Sequence, residues 1–198
     1  SYGAGHRMAI GVSADNPDKV YLFATEGSFF FRLWISSNSG LTFTYKEPTA
    51  FQGQNQGGYN IDIAVDPNDE DVIYAGMVNL FKSTDGGNSF SMIANAGEIH
   101  ADQHLLEISP LNGKLYIGND GGMYVTDDGG NSFDIISDGL AISQIYRMSV
   151  DRNNPNIKII GCQDLGSYVT SGGEWFHRVG GDGFHSAIDY TNSDIMYG

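Results

Sequence analysis

Apolar and polar residues alternate along short stretches of this chain, and each stretch ends at a turn rich in Asn, Asp, Gly or Pro. Five stretches share one layout, a strand, a polar turn and a second strand: Met8–Phe23, Ile61–Gly76, Leu105–Gly118, Met148–Gly161 and Ala187–Gly198. Alternation with period two bounded by such turns predicts β-hairpins. No stretch has a convincing helical period, so the pattern predicts an all-β protein.

A second pattern, S/T-x-D-x-G-x-S/T-aromatic, recurs after the hairpins. It occurs at Ser83–Phe90 and Thr126–Phe133, at Ser36–Phe43 with Asn in place of Asp, and in a shortened copy at Thr170–Trp175. The acidic side chain can accept hydrogen bonds from its own turn, and the glycines supply positive φ. We therefore assign a structural, not catalytic, role to Ser36, Asn38, Gly40, Phe43, Ser83, Asp85, Gly87, Phe90, Thr126, Asp128, Gly130 and Phe133.

The spacing of these patterns is nearly constant. Asn38 and Asp85 are 47 residues apart, and Asp85 and Asp128 are 43 residues apart. A fixed period of this size, with four strands per unit, is typical of a β-propeller blade. The sequence predicts one domain, 1–198, formed by an incomplete portion of a larger propeller of four-stranded antiparallel blades. Its blade repeats lie near 6–50, 59–98, 103–140 and 146–180, and another starts at 185–198.

The composition argues against some classes of binding partner. A net charge of −14 argues against nucleic acid and anionic membrane surfaces, which are bound through basic patches. No apolar run approaches the roughly 18 residues of a membrane-spanning helix, so we expect no membrane insertion. Cys162 is the single cysteine, which excludes an internal disulfide.

Propeller geometry indicates where a ligand would bind. The first strand of each blade lines the central channel, and its N-terminal end lies on the same face as the loop between the second and third strands. Loops on a rigid scaffold commonly carry function, and this face collects polar and aromatic residues. The candidate ligand-binding residues are His6, Arg7, Tyr59, Asn60, His100, His104, Asn119, Tyr146, Arg147, Gln163, Phe184 and His185.

Carboxylates on the same face are candidate catalytic groups. Two of them could act as acid and base on a glycosidic bond. The candidates are Asp182, Asp102, Asp120 and Asp164.

The segment His100–His104 has a second interpretation. On a strand, alternate residues share a face, so His100, Asp102 and His104 would point together as a metal triad. The alternative is a hydrogen-bonded polar lining of the channel. We favour the lining and predict no cofactor, with a bound divalent cation as the alternative.

The repeated turns resemble the Asp-box, or bacterial neuraminidase repeat. The segments HADQHLLEISPLNGKLYIGNDGGMYVTDDGGNSF, GCQDLGSYV and GGDGFHSAIDYTNSDIMYG resemble the sortilin-type and xyloglucanase-type propellers of large exported bacterial proteins. The xyloglucanase resemblance implies two catalytic Asp residues facing a cleft, for which Asp182 is the nearest candidate by context. The sortilin resemblance implies a binding propeller. Both imply an extracellular or cell-surface location and further blades or domains in the same longer chain.

Three functions follow from these observations. The first is a secreted or cell-surface propeller that binds a glycan or a protein through its channel-mouth loops. The second is a glycoside hydrolase of xyloglucanase type that acts on a β-glucan with two carboxylates. The third is a structural spacer in a long surface protein. We rank binding first, since no catalytic pair can be matched and fold does not decide function.

Overall fold

The computed structural model describes residues 7–140 and 142–198, so the candidate residue His6 lies outside the described residues. Strands dominate, and the described residues contain one short 3-10 turn, Thr49–Phe51. The chain divides into two compact units, which we call unit 1, ending at Asp138, and unit 2, Gly139–Gly198. No helix among the described residues has the length and apolar character to cross a membrane.

Unit 1 contains three antiparallel sheets, each with four strands in sequential order. The first sheet comprises β1 (Met8–Val12), β2 (Val20–Glu26), β3 (Phe29–Ser36) and β4 (Thr44–Lys46). The second comprises β5 (Asp62–Asp66), β6 (Asp69–Gly76), β7 (Leu80–Ser83) and β8 (Ser91–Ala94). The third comprises β9 (Gln103–Ile108), β10 (Leu115–Asn119), β11 (Gly122–Thr126) and β12 (Asp134–Ile135). The first strands are neighbours, because β5 packs beside both β1 and β9.

Unit 2 contains one further four-stranded antiparallel sheet and one hairpin. The sheet comprises β13 (Ile145–Val150), β14 (Ile157–Cys162), β15 (Gly166–Ser171) and β16 (Trp175–Val179). The hairpin comprises β17 (Ala187–Ile188) and β18 (Met196–Tyr197). The predicted all-β architecture of four-stranded antiparallel sheets is thus confirmed.

Apolar side chains fill the spaces between successive sheets of unit 1. One cluster joins the first and second sheets, and Tyr21, Leu33, Ile73 and Phe81 are among its buried members. A second cluster joins the second and third sheets through residues such as Leu80 and Ile117. Each sheet of this kind buries alternate residues against its neighbour, which is why the sequence alternates with period two.

The repeated turns hold their acidic side chains within hydrogen bonds. Asp85 accepts bonds from Ser89 Oγ (2.6 Å), Ser89 N (2.9 Å) and Ser83 Oγ (2.8 Å). Asp128 has the same partners in Ser132 and Thr126. In the first turn Asn38 Oδ1 accepts from the backbone N of Thr42 at 2.9 Å. All three side chains therefore stabilise their own turns.

Lysine side chains tie two of these turns to the preceding sheet. Lys46 at the end of β4 donates to the carbonyl oxygen of Gly86 at 3.0 Å, and Lys82 on β7 donates to that of Gly129 at 2.9 Å. Both glycines have positive φ, 65° and 74°. Partial burial lowers the pKa of Lys46 from its usual value.

We expect the turn carboxylates to make unit 1 lose stability in acid. Hydrogen bonds from Ser89 lower the pKa of Asp85 from 3.8 to about 2, and those from Ser132 lower the pKa of Asp128. A depressed folded-state pKa gives stability that is fully present above pH 3.8 and is lost as the pH falls towards 2. The double variant Asp85→Asn/Asp128→Asn should lose less stability over this range, since Asn38 shows that an amide fits the turn.

Urea denaturation at a series of pH values from about 5 to about 2 tests this expectation. The pKa values of Asp62 and Asp102 are raised, so these two groups change the pH dependence of stability in the opposite direction. Their contribution is the same in the wild type and in the double variant. Parallel stability curves for the wild type and the double variant would contradict the assigned role of the two carboxylates.

Candidate ligand-binding site

Polar and aromatic side chains converge where the first strands of the second and third sheets begin. We call Tyr59, Asn60, Asp102, His104 and Asp120 the unit 1 cluster. They lie just before β5, at the start of β9 and in the turn between β10 and β11. The sequence analysis named all five as ligand-binding or catalytic candidates, because propeller topology places their loops on one face, and the structure brings these side chains together.

Asp102 is held in an unusual backbone conformation by its neighbours. Its φ is 67°, and its N–H donates to the carbonyl oxygen of Val78 at 3.0 Å. Its carboxylate accepts hydrogen bonds from the side-chain amides of Gln56 and Asn60. Partial burial, followed by the nearby Asp120 carboxylate, raises the pKa of Asp102. Positive φ outside glycine is uncommon, and such strain clusters at functional sites.

The aromatic side chain of Tyr59 belongs to the same cluster and is partly exposed. The Tyr59 ring is 52% exposed and meets the His104 ring edge-on, with ring centroids 4.7 Å apart and an interplanar angle of 86°. His104 Nε2 lies 2.6 Å from Asp120 Oδ1, which fixes the imidazole. Arg7 Nη1 donates to the carbonyl oxygen of Tyr59. The contacts therefore hold Tyr59 while leaving half of its surface open.

The metal triad at His100, Asp102 and His104, the alternative to a polar lining, required all three residues to lie on one strand. Strand β9 begins at Gln103, and the positive φ of Asp102 breaks the alternation that would place the three side chains on one face. No group of three or more His, Cys, Asp or Glu side chains within 7–140 and 142–198 has a metal-binding arrangement.

Two further candidates, Asn119 and His100, make contacts that support the loop before β9. Asn119 Nδ2 donates to the carbonyl oxygen of His100 at 2.9 Å. The His100 side chain lies against Gly121, where an added Cβ would come within 2.4 Å of it. Gln103 is fully buried, and its Nε2 donates to the carbonyl oxygens of His100 and Val78. These bonds fix the loop that precedes β9.

Asp62 is a polar residue of this region that sequence reasoning missed. Its carboxylate accepts hydrogen bonds from the backbone N of Leu106 at 2.7 Å and of Ile63 at 2.9 Å, so it bridges β5 and β9. Burial raises its pKa, and the Arg7 side chain acts in the opposite direction. The sequence did contain a signal for this residue, because Asp62 is an acidic residue within the alternating run Ile61–Asp66.

Unit 2 has its own pair of exposed aromatic side chains. Tyr146 on β13 and Phe184 before β17 meet edge-on, with centroids 4.8 Å apart. Asp182 Oδ1 accepts a hydrogen bond from the backbone N of Asp164 at 3.0 Å. The carboxylate of one catalytic candidate, Asp182, is thus engaged by the backbone of another, Asp164.

The remaining candidates of unit 2 are Arg147 on β13, Gln163 after β14 and His185 before β17. The backbone N of Gln163 donates to the carbonyl oxygen of Gln144 at 3.1 Å, and the Arg147 carbonyl oxygen accepts from Ser186 Oγ at 3.4 Å. Arg147 and His185 are both exposed. They remain candidates for ligand contact.

Neither a protein-family model nor a curated protein sequence matches this chain. Solved structures do match. The GH74 xyloglucanase from Xanthomonas campestris shares 18% identity at a TM-score of 0.56, over 95% of this chain and 34% of that chain. The GH74 enzyme from Niastella koreensis shares 22% identity at a TM-score of 0.52, over 86% and 29% of the two chains. YCF48 bound to D1 peptide shares 13% identity at a TM-score of 0.51, over 99% and 69%.

Identities this low establish the fold and nothing more. The sheets and their order are those of β-propeller blades, so the chain belongs to the β-propeller class. It spans about a third of the length of the xyloglucanase structure, 34%, and somewhat less of the second enzyme.

Proposed function

We propose that this chain is a binding module of a secreted or cell-surface β-propeller, which takes a glycan or a protein ligand at the unit 1 cluster. The observation that carries the proposal is the half-exposed Tyr59 ring, held by His104 beside the Asp102 and Asp120 carboxylates. An aromatic face with convergent hydrogen-bonding groups suits a sugar ring, so we favour a glycan. The exported location is part of the proposal and rests on the resemblance in sequence.

The partners of the carboxylates favour binding over hydrolysis. Asp120 is engaged by His104, Asp102 by two side-chain amides, and Asp182 by a backbone N–H. The organised cluster also argues against a pure spacer, for which a featureless loop face would be expected. The further blades of a longer chain remain part of the proposal as additional ligand-contacting surface.

Calorimetric titration of the full chain with soluble oligosaccharides, including xyloglucan fragments, tests the proposal. Tyr59→Ala should weaken binding by at least about tenfold, because it removes the exposed ring at the centre of the cluster. The matched control is Tyr190→Ala, which removes a ring that is 74% exposed in unit 2 and should leave affinity unchanged. Equal affinities of the wild type and Tyr59→Ala would exclude the unit 1 cluster as the glycan site.

A glycoside hydrolase is the second candidate, and the raised pKa of Asp102 favours it. A general acid at neutral pH needs a raised pKa, and burial together with Asp120 provides one. Under this alternative, the wild type releases reducing ends from xyloglucan, and Asp102→Asn lowers the rate by about 100-fold or more. Under the binding proposal, the wild type shows no turnover.

A further inference from the structure

The unit 1 cluster contains carboxylate oxygens that lack hydrogen-bond donors. The bonds from Gln56 and Asn60 to the Asp102 carboxylate both end at Oδ1. His104 Nε2 likewise contacts Asp120 at Oδ1. In the part of the chain that the structure describes, the Oδ2 atom of each carboxylate receives no hydrogen bond. An ionised carboxylate accepts and does not donate, so these two atoms need donors from outside the protein.

The side chain of Asn60 adds a third unsatisfied acceptor. Asn60 has no exposed surface, and its Oδ1 has no hydrogen-bond partner among the described residues. Its Nδ2 donates to Asp102, so the amide group is directed at that carboxylate and its unpaired oxygen lies within the cluster. Buried polar atoms in native proteins are nearly always satisfied by protein, water or ligand. The cluster is therefore short of donors at three neighbouring side chains.

The two carboxylates also act on each other electrostatically. Partial burial and then the Asp120 carboxylate raise the pKa of Asp102, and the effect of Asp120 exceeds the opposing effect of His104. The Arg7 guanidinium is engaged by the carbonyl oxygen of Tyr59. A cation that binds between the two carboxylates relieves their repulsion, whereas a neutral ligand does not.

The exposed ring of Tyr59 lies next to these acceptors. The His104 imidazole contacts both the Tyr59 ring and the Asp120 carboxylate, so the ring and the carboxylate are neighbours. All five members of the cluster belong to the second and third sheets and the loops that lead into them, so the arrangement forms within unit 1. A ligand that covers the ring therefore places its substituents beside negative charge.

We propose that the unit 1 cluster selects an amino sugar, a glycan unit that carries a free ammonium group. The sugar ring stacks on Tyr59, and the ammonium donates to the carboxylates of Asp102 and Asp120. An ammonium group has three donors and no acceptor, which matches the shortage of donors, whereas a hydroxyl group brings an acceptor as well. Hydrogen bonds between charged partners are also stronger than neutral ones. This inference rests on the proposed function, because it names the class of glycan bound at the same site.

Three tetrasaccharides of the same linkage that differ in one substituent are the probes. They are the tetramers of glucosamine, N-acetylglucosamine and glucose, which carry an ammonium, an acetamide and a hydroxyl group at that position. Calorimetric titration of the full chain is carried out just below neutral pH, where the amino groups are protonated. The glucosamine tetramer should bind at least about tenfold more tightly than either of the other two.

Removal of one charge tests the assignment to the carboxylates. Asp120→Asn keeps the size of the side chain and removes its charge, so the preference for the glucosamine tetramer over the glucose tetramer should fall to about threefold or less. The matched control is Asp134→Asn, which removes one negative charge from an exposed position on β12 and should leave the preference unchanged. An unchanged preference in Asp120→Asn would overturn the inference.

Salt dependence keeps the test decisive if Asp120→Asn fails to fold. Added sodium chloride should weaken binding of the glucosamine tetramer to the wild type and leave binding of the glucose tetramer unchanged. Equal salt dependence of the two would contradict an ammonium–carboxylate contact.

The same titrations separate failure of this inference from failure of the proposed function. Equal affinities for the three tetramers, all weakened by Tyr59→Ala, would overturn the selection of an amino sugar and leave the glycan site intact. Absence of binding by all three would contradict the glycan site itself. A blocked Gly-Lys-Gly tripeptide covers the other source of an ammonium group: if it binds and the glucosamine tetramer does not, the cluster recognises a protein ligand and the amino-sugar inference is wrong.

Discussion

Replacing Phe51 with alanine is expected to lower the free energy of unfolding of unit 1 by about 3–5 kcal/mol. Phe51 follows the first sheet in the 3-10 turn Thr49–Phe51 and is 2% exposed. Its ring lies 4.7 Å from those of Phe30 and Phe81 and 5.0 Å from those of Phe23 and Phe90, measured between centroids. Alanine removes all four ring contacts and leaves a cavity between two sheets.

Urea denaturation followed by far-ultraviolet circular dichroism measures this loss. Leu111→Ala is the control, because that side chain is 95% exposed and its removal should change stability by less than about 0.5 kcal/mol. A Phe51→Ala variant as stable as the control would show that the aromatic cluster does not hold the first two sheets together.

The second large effect is expected at Gly161. A Cβ at this position on β14 would lie 1.5 Å from the carbonyl oxygen of Gly183, which is backbone and cannot turn away. The N–H of Gly183 also donates to the carbonyl oxygen of Cys162 at 2.9 Å, so the two segments are held together at this point. Gly161→Ala must separate them, and we expect unit 2 to lose about 3 kcal/mol or more of stability.

Hydrogen exchange of the amides in β14 and β15 localises this effect to unit 2. Gly173→Ala is the matched control, since nothing lies within 4 Å of a Cβ added there. The two variants should differ clearly in the protection of β14. Similar exchange in both would mean that Gly183 moves aside at little cost.

The fold could be predicted because its signals are local. The hairpins at Ile61–Gly76 and Leu105–Gly118 alternate with period two, and the repeated turns recur at a fixed spacing. Each blade buries the same alternate positions against its neighbour, so one pattern encodes every sheet. The resemblance to the Asp-box concerns the same turns, in which Asp85 and Asp128 are indeed bound by their own residues.

The site was predicted only in part, because its geometry depends on irregular loops. Propeller topology was enough to place Tyr59, His104 and Asp120 on one face. The positive φ of Asp102 and its bonds from Gln56 depend on how the loop before β9 folds, and no periodic pattern encodes them. The alternative of a metal triad assumed a continuous strand at Asp102, where the positive φ makes the chain turn.

The lysine contacts of unit 1 have a consequence for how such a protein can be rearranged in evolution. Lys46 and Lys82 each belong to one sheet but satisfy a carbonyl group in the turn of the next, at Gly86 and Gly129. A blade that is transplanted alone separates its lysine from the acceptor carbonyl in the next blade, and separates its own turn from the lysine of the preceding blade. A pair of adjacent blades is therefore the smallest unit that carries one such contact with it, and cooperativity along the chain should extend over nearest neighbours.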